Sequence, residues 1–250
     1  MSPPEDAADG GPAEWVARFL AVIGGFVDAL GYVALFRLFT AHQSGNSVGL
    51  GVALGAGDWT EAWRRGVAIG AYVAGTALGT VVVELGHRRW PRLTGLAVLG
   101  AELVALGAAL AVGEVAARSG VIAPADTASY ATVAALLAGA MGLQTVVLRR
   151  VGRQTIRTTF VTGVLTNLAE TFVVACFRRR RQDGAGRFSY SGLLGSIWLL
   201  YLGGAVAGGV AERSWSFAAL GLPMAGLTIV AAWAARTGYR PTLPDAGPAE

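Results

Sequence analysis

The chain contains no lysine, one cysteine and two histidines, and charged residues of all kinds make up only 14% of it. Each shortage excludes something. With Cys176 alone there can be no internal disulfide framework and no cysteine-built zinc site. His42 by itself supports no metal centre, and His87 sits in a basic stretch, so neither a metal ion nor a cofactor is expected. The zinc-type His-Glu motif, the Gly-x-Ser-x-Gly nucleophile turn and a phosphate-binding glycine loop with its lysine are all missing, which leaves a membrane-embedded enzyme as the weaker functional alternative. The net charge of +4 comes from arginines in short segments between apolar runs, and no nucleic-acid partner is expected from that distribution.

What is present is apolar: 54% of the residues, in long runs. A soluble domain carries about 25% charged residues. A bilayer core of roughly 30 Å takes about 20 helical residues to cross. Six runs reach that length, at about 15–36, 66–86, 93–112, 128–148, 189–211 and 216–235. The fold class expected is therefore an all-α, polytopic transmembrane helix bundle in contact with lipid. The run at 15–36 follows an acidic leader and is read as a retained helix. Residues 1–14 read as a polar disordered tail, 15–235 as one transmembrane domain and 236–250 as a second tail. Two further stretches are short or polar: 47–57, and 158–177 with Thr158, Thr159, Thr162, Thr166, Asn167 and Glu170.

Arginine placement bears on whether those two stretches cross. If both span, the 20 arginines divide 11 to 9 between the two sides. If both dip in and return, they divide 15 to 5. Positively charged loops stay inside, so the second arrangement is preferred: six spans in a cell inner membrane, with both termini cytoplasmic. Arg149, Arg153 and Arg157 recur every four residues and read as a basic helical face on anionic lipid headgroups.

The chain also repeats itself. A helix carrying Asp28 leads into FRLFTAHQSGNSVGLGVAL and two clean helices; a helix carrying Gln144 leads into RRVGRQTIRTTFVTGVLTNLAE and again two clean helices. Halves of about 15–112 and 128–235 with three spans each would be inverted relative to one another, an arrangement common among transporters. Ser44-Gly45 aligns with Thr162-Gly163, or Asn46 with Asn167, and the two alignments conflict.

Polar groups at membrane depth are expensive and mark candidate sites. Asp28 lies inside the first helix, and Glu102 lies nine residues into the run beginning at Leu93, about 13 Å deep. Gln144 is a neutral interhelical hydrogen-bonding group. Glu84 and Glu170 lie nearer helix ends, where water reaches them. The window Thr40–Ser47 is the most polar between two apolar runs, and irregular backbone survives at depth only against protein or a water-filled cavity. Asp28 and the Ser44-Gly45-Asn46 turn are expected to form one polar site, with Glu102, Gln144, Thr162 and Asn167 as further candidate solute ligands. The pairs Gly51/Gly55, Gly66/Gly70, Gly75/Gly79 and Gly204/Gly208 favour close helix packing or a homo-oligomer.

The segments GFVDALGYVALFRLFTAHQSGNSVGLGVAL and GLQTVVLRR…RTTFVTGVLTNLAE resemble the YoaK-like family of bacterial membrane proteins. The resembling motifs are Asp28 with Ser44-Gly45-Asn46, and Gly142-Leu143-Gln144 with Thr162-Gly163-Val164-Leu165-Thr166-Asn167-Leu168, within residues 15–235. The resemblance implies a helical membrane protein and, since the family's function is unknown, transfers no catalytic residue. The leading expectation is a transporter or channel for an unidentified small solute; the alternatives are a membrane enzyme or a non-catalytic scaffold.

Overall fold

The computed structural model describes residues 11–90, 93–119, 127–147, 161–177 and 184–237. The two tails beyond them, the whole Arg149–Arg157 basic face and the four arginines from 178 to 181 lie outside the described residues. Eight α-helices follow in order: α1 (Pro12–Ala34), α2 (Gln43–Ala56), α3 (Trp59–Arg89), α4 (Thr94–Arg118), α5 (Thr127–Val147), α6 (Val161–Phe177), α7 (Gly184–Trp215) and α8 (Gly221–Thr237). The ends have local causes. Proline occupies the first turn of α1, where its missing N–H costs nothing. Asp58 caps α3 by accepting the Glu61 N–H at 3.0 Å. Gly57, at φ 72°, turns the chain between α2 and α3 in the left-handed region open to glycine.

Among the described residues five stretches are long and apolar enough to cross a membrane, and four of them fall on α1, α3, α4 and α5. The fifth, Ser191–Thr237, contains two helices. Left-handed Ser216, at φ 48°, breaks it at Trp215, and the 3-10 turn Ser216–Leu220 leads into α8. Split there, the five candidate stretches contain six helices, against the six apolar runs read from the sequence.

The sides of the bundle follow from one contact chain. The Tyr130 hydroxyl, at the start of α5, donates to the Leu35 carbonyl at the end of α1 at 2.8 Å. The Arg64 guanidinium, near the start of α3, lies 4.5 Å from the Tyr130 ring centre. The end of α1 and the starts of α3 and α5 therefore share one side, and α2 does not cross. At the other side, Trp15 of α1 and Trp233 of α8 approach to 5.1 Å between ring centres, so the two described ends of the chain lie together.

The two halves pack as an inverted repeat. α1 lies chiefly against α7, and α5 against α3. α2 lies on α3, as α6 lies on α7. The same device closes both long seams. A Cβ added to Gly204 would run into the Val22 carbonyl, and one on Gly75 into the Gly139 carbonyl. A Cβ on Gly25 would meet the Tyr201 carbonyl, and one on Gly142 that of Tyr72. These contacts align Val22 with Gly139, Gly25 with Gly142, Tyr201 with Tyr72 and Gly204 with Gly75. Of the four small-residue pairs, Gly75/Gly79 and Gly204/Gly208 line these seams, while Gly51/Gly55 and Gly66/Gly70 meet nothing.

The register between α2 and α6 is set by burial. Asn46 and Val164 are the buried residues at matching places, with flanking exposure in step when Ser44-Gly45 is set on Thr162-Gly163. The alternative that pairs Asn46 with Asn167 fails because Asn167 is exposed.

The outer surface is that of a membrane protein. Val73, Leu85, Val104, Leu199, Val206 and Ile229 are among many exposed large apolar side chains, a surface that water would not tolerate. Trp59, Trp63 and Trp215 ring one end of the bundle, and Trp15, Trp90 and Trp233 belong to the other, as in the aromatic belts of membrane interfaces.

Candidate functional site

The site grows out of an abrupt end to α1. The Arg37 N–H donates to the Tyr32 carbonyl at 2.8 Å, and Phe36 and Arg37 take the left-handed conformation at φ 51° and 68°. Neither is glycine, so each carries a strain of about 1–2 kcal/mol that surrounding contacts must hold. The chain then turns back along α1. Residues 40–42 come level with Asp28, six residues before the last residue of α1 and about 9 Å along its axis. α2 begins there, at Gln43. The re-entrant element is therefore an extended descent followed by a 14-residue helical return, longer than the 47–57 stretch suggested by apolar content.

Two buried side chains fix the descent. Asp28 Oδ1 accepts the Thr40 N–H at 2.7 Å, the Thr40 hydroxyl at 3.1 Å and the Ala41 N–H at 2.8 Å. Its Oδ2 accepts the Tyr201 hydroxyl from α7 at 2.7 Å and pairs with His42 Nδ1 at 2.6 Å. Five polar partners at donor geometry saturate the two oxygens of one carboxylate. Asn46, fully buried, holds the same segment from the other side: its Oδ1 accepts the Phe39 N–H at 3.1 Å, and its Nδ2 donates to the Phe39 carbonyl at 2.6 Å and to Gln43 Oε1 at 3.0 Å. Gln43 in turn donates to the Thr40 carbonyl at 2.9 Å. The backbone polar groups that a non-helical chain exposes at membrane depth are thus met by side chains, as surrounding lipid demands.

Beside this network lies an open cavity of about 370 Å³, a cleft between α1 and α7 lined by Asp28, Tyr32, Phe39, His42, Tyr201 and the small residues Ala29, Ala205 and Gly209, with the exposed Val33 at its rim. His42 is half-buried, and its interactions all run through Nδ1 and its ring edges. With Nδ1–H given to Asp28, Nε2 is left as a polar group with no partner among the described residues.

Asp28 and Asn46 are thus brought together, through the segment they both hold. Ser44 is exposed and outside that network. Glu102 and Gln144 form a pair of their own between α4 and α5: Gln144 Nε2 donates to Glu102 Oε1 at 3.1 Å, while Glu102 Oε2 and Gln144 Oε1 have no partner among the described residues. Thr162 and Asn167 are exposed on α6, and neither lines the Asp28 cavity. Thr40, His42, Gln43 and Tyr201 belong to the network and were not foreseen for the site. The signal for Tyr201 was available in the repeat, because Tyr72 and Tyr201 each stand three residues before a glycine of their seam. Tyr72 does what its counterpart does: its hydroxyl lies 2.9 Å from Thr145 Oγ1, at the position equivalent to Asp28.

Residues 16–233 match the family model described as a protein of unknown function, DUF1275. The chain belongs to the DUF1275 family. It is also 26% identical, over 195 residues, to the UPF0700 transmembrane protein YoaK of Bacillus subtilis (strain 168), covering 77% of this chain and 81% of that one. No solved structure matches significantly. The DUF1275 match spans both halves of the repeat and includes every residue of the Asp28 network.

Proposed function

We propose that this integral membrane protein is a carrier or channel for a small solute in the cell inner membrane, with both termini cytoplasmic and the solute site in the α1–α7 cavity. The observation that carries this reading is the cavity's place. Asp28, Tyr32 and His42 come from one inverted half and Tyr201 and Ala205 from the other, so a relative movement of the halves changes the site's shape and its exposure. Inverted repeats with a broken element at their interface serve that purpose in transporters. The 15 to 5 arginine division supports the orientation.

A cysteine scan along α7 tests the cavity. In a Cys176→Ser background, Ala205→Cys is expected to react with water-soluble thiosulfonates, while Leu202→Cys, on the exposed apolar face, does not. Equal inertness of both positions would remove the water-filled site and leave a scaffold, the role that the saturated Asp28 network serves on its own.

A further inference from the structure

Three aromatic side chains, an imidazole and a carboxylate line the same cavity. Tyr32 and Phe39 lie 4.7 Å apart between ring centres, Phe39 and His42 5.7 Å, and His42 and Tyr201 5.6 Å, so the rings form one continuous run. The remaining lining is Ala29, Val33, Ala205 and Gly209. Among the described residues, no arginine lines the cavity and none pairs with Asp28.

The charge pattern selects a solute. Asp28 places a carboxylate at membrane depth with no arginine among the described residues to balance it, which is costly unless something mobile supplies a cation. Aromatic faces add negative potential and attract cations held within about 6 Å. An anion is therefore disfavoured. A bare metal ion is disfavoured for another reason: both Asp28 oxygens are already filled by donors, so the site offers too few oxygens to replace a hydration shell. An organic ammonium keeps its charge spread over an apolar body, which suits an aromatic and aliphatic wall and needs no direct carboxylate ligation.

We propose that the α1–α7 cavity takes a small organic cation, an amine or quaternary ammonium, recognised by Tyr32, Phe39 and Tyr201 with Asp28 as countercharge. This rests on the reading of the cavity as the solute site. The test uses the full chain in proteoliposomes, with Ala205→Cys in the Cys176→Ser background. A positively charged thiosulfonate is expected to modify the introduced thiol about tenfold faster than a negatively charged one. Choline is expected to slow the reaction, and its neutral carbon isostere 3,3-dimethylbutan-1-ol to leave it unchanged. Tyr32→Leu, which removes one ring without touching the Asp28 bonds, is expected to weaken choline protection about tenfold. Equal rates for the two reagents, equal protection by the isostere, or no protection by choline overturns the cation proposal while leaving the cavity in place. An introduced thiol that no reagent reaches sinks the cavity reading itself.

Discussion

Asp28 and Thr145 occupy equivalent positions in the two inverted halves, each bonded to the tyrosine of the helix that faces it. The Tyr201 hydroxyl meets Asp28 at 2.7 Å, and the Tyr72 hydroxyl meets Thr145 at 2.9 Å. One half keeps a carboxylate and the other a neutral hydroxyl. By sequence the same divergence runs on through the element that follows: His42, Gln43 and Asn46 stand where the second half has Phe160, Val161 and Val164. The protein thus has a two-fold frame and a one-sided polar site.

That asymmetry sets a pH dependence. Asp28 and Tyr32 face the cavity from α1, His42 from the re-entrant link, and Tyr201 from α7. When the Asp28–His42 pair gains a proton its net charge goes from negative to neutral, so affinity for a cation falls as pH falls. Choline protection of the thiol introduced by Ala205→Cys is expected to weaken as the buffer is acidified, and protection that does not change with pH would contradict Asp28 as the countercharge.

Asn46 holds three hydrogen bonds in a fully buried position, two of them to the Phe39 backbone. Asn46→Ala leaves the Phe39 N–H and carbonyl without those partners and is expected to cost about 2–3 kcal/mol. Thermal unfolding in detergent measures it. A Ser44→Ala change, at an exposed residue outside the network, is expected to stay within about 0.5 kcal/mol. Equal costs at the two positions would contradict the assigned network.

The Glu102–Gln144 pair leaves one acceptor oxygen on each residue without a partner among the described residues. Removing one partner strands the other, whereas replacing both by leucine removes the whole polar pair. Glu102→Leu and Gln144→Leu together are expected to cost less than the sum of the single changes, with a coupling of about 1–2 kcal/mol. Additive losses would mean that the two side chains do not act as a pair.

The seams predict a sharp division among glycines. Gly204→Val and Gly142→Val drive side chains into backbone carbonyls and are expected to cost about 3 kcal/mol or more. Gly51→Ala, in open space, is expected to leave stability unchanged or slightly raised, as alanine favours the helix. Thermal unfolding of the purified variants gives the ranking, and sensitivity at Gly51 equal to that at Gly204 would count against the packing.

Much of this was legible in the chain. The helical membrane bundle was legible because length and hydropathy decide which helices can cross a bilayer. The repeat was legible too, but its register was not. The sequence left two conflicting alignments, Ser44-Gly45 on Thr162-Gly163 or Asn46 on Asn167; burial favours the first, and the glycine contacts place Asp28 opposite Thr145. Packing preserves the close approach of backbones, and the polar side chains between them are free to diverge. α2 starts at Gln43 and not near Ser47 because Gln43 and Asn46 find partners inside the turn, which composition cannot show. Tyr201 looked like any aromatic in an apolar helix. Its role is set by α7 lying beside α1, a contact between residues 173 positions apart.

Topology offers an independent check. Reporter fusions at Ala7 and Pro248 are expected to report cytoplasm, and Gly184→Cys to resist an impermeant reagent applied to intact cells. A periplasmic signal at either terminus would overturn the orientation drawn from the arginine division.

Access to the α1–α7 cavity from the two faces of the membrane tests the carrier reading most directly. Ala205→Cys in the Cys176→Ser background is placed in sealed vesicles of known orientation, and an impermeant thiosulfonate is added from one side at a time. Modification from both sides, slowed by choline in each case, is the result expected of a solute path between inverted halves. Modification from one side only, unaffected by choline, would make the cavity a surface cleft and contradict transport.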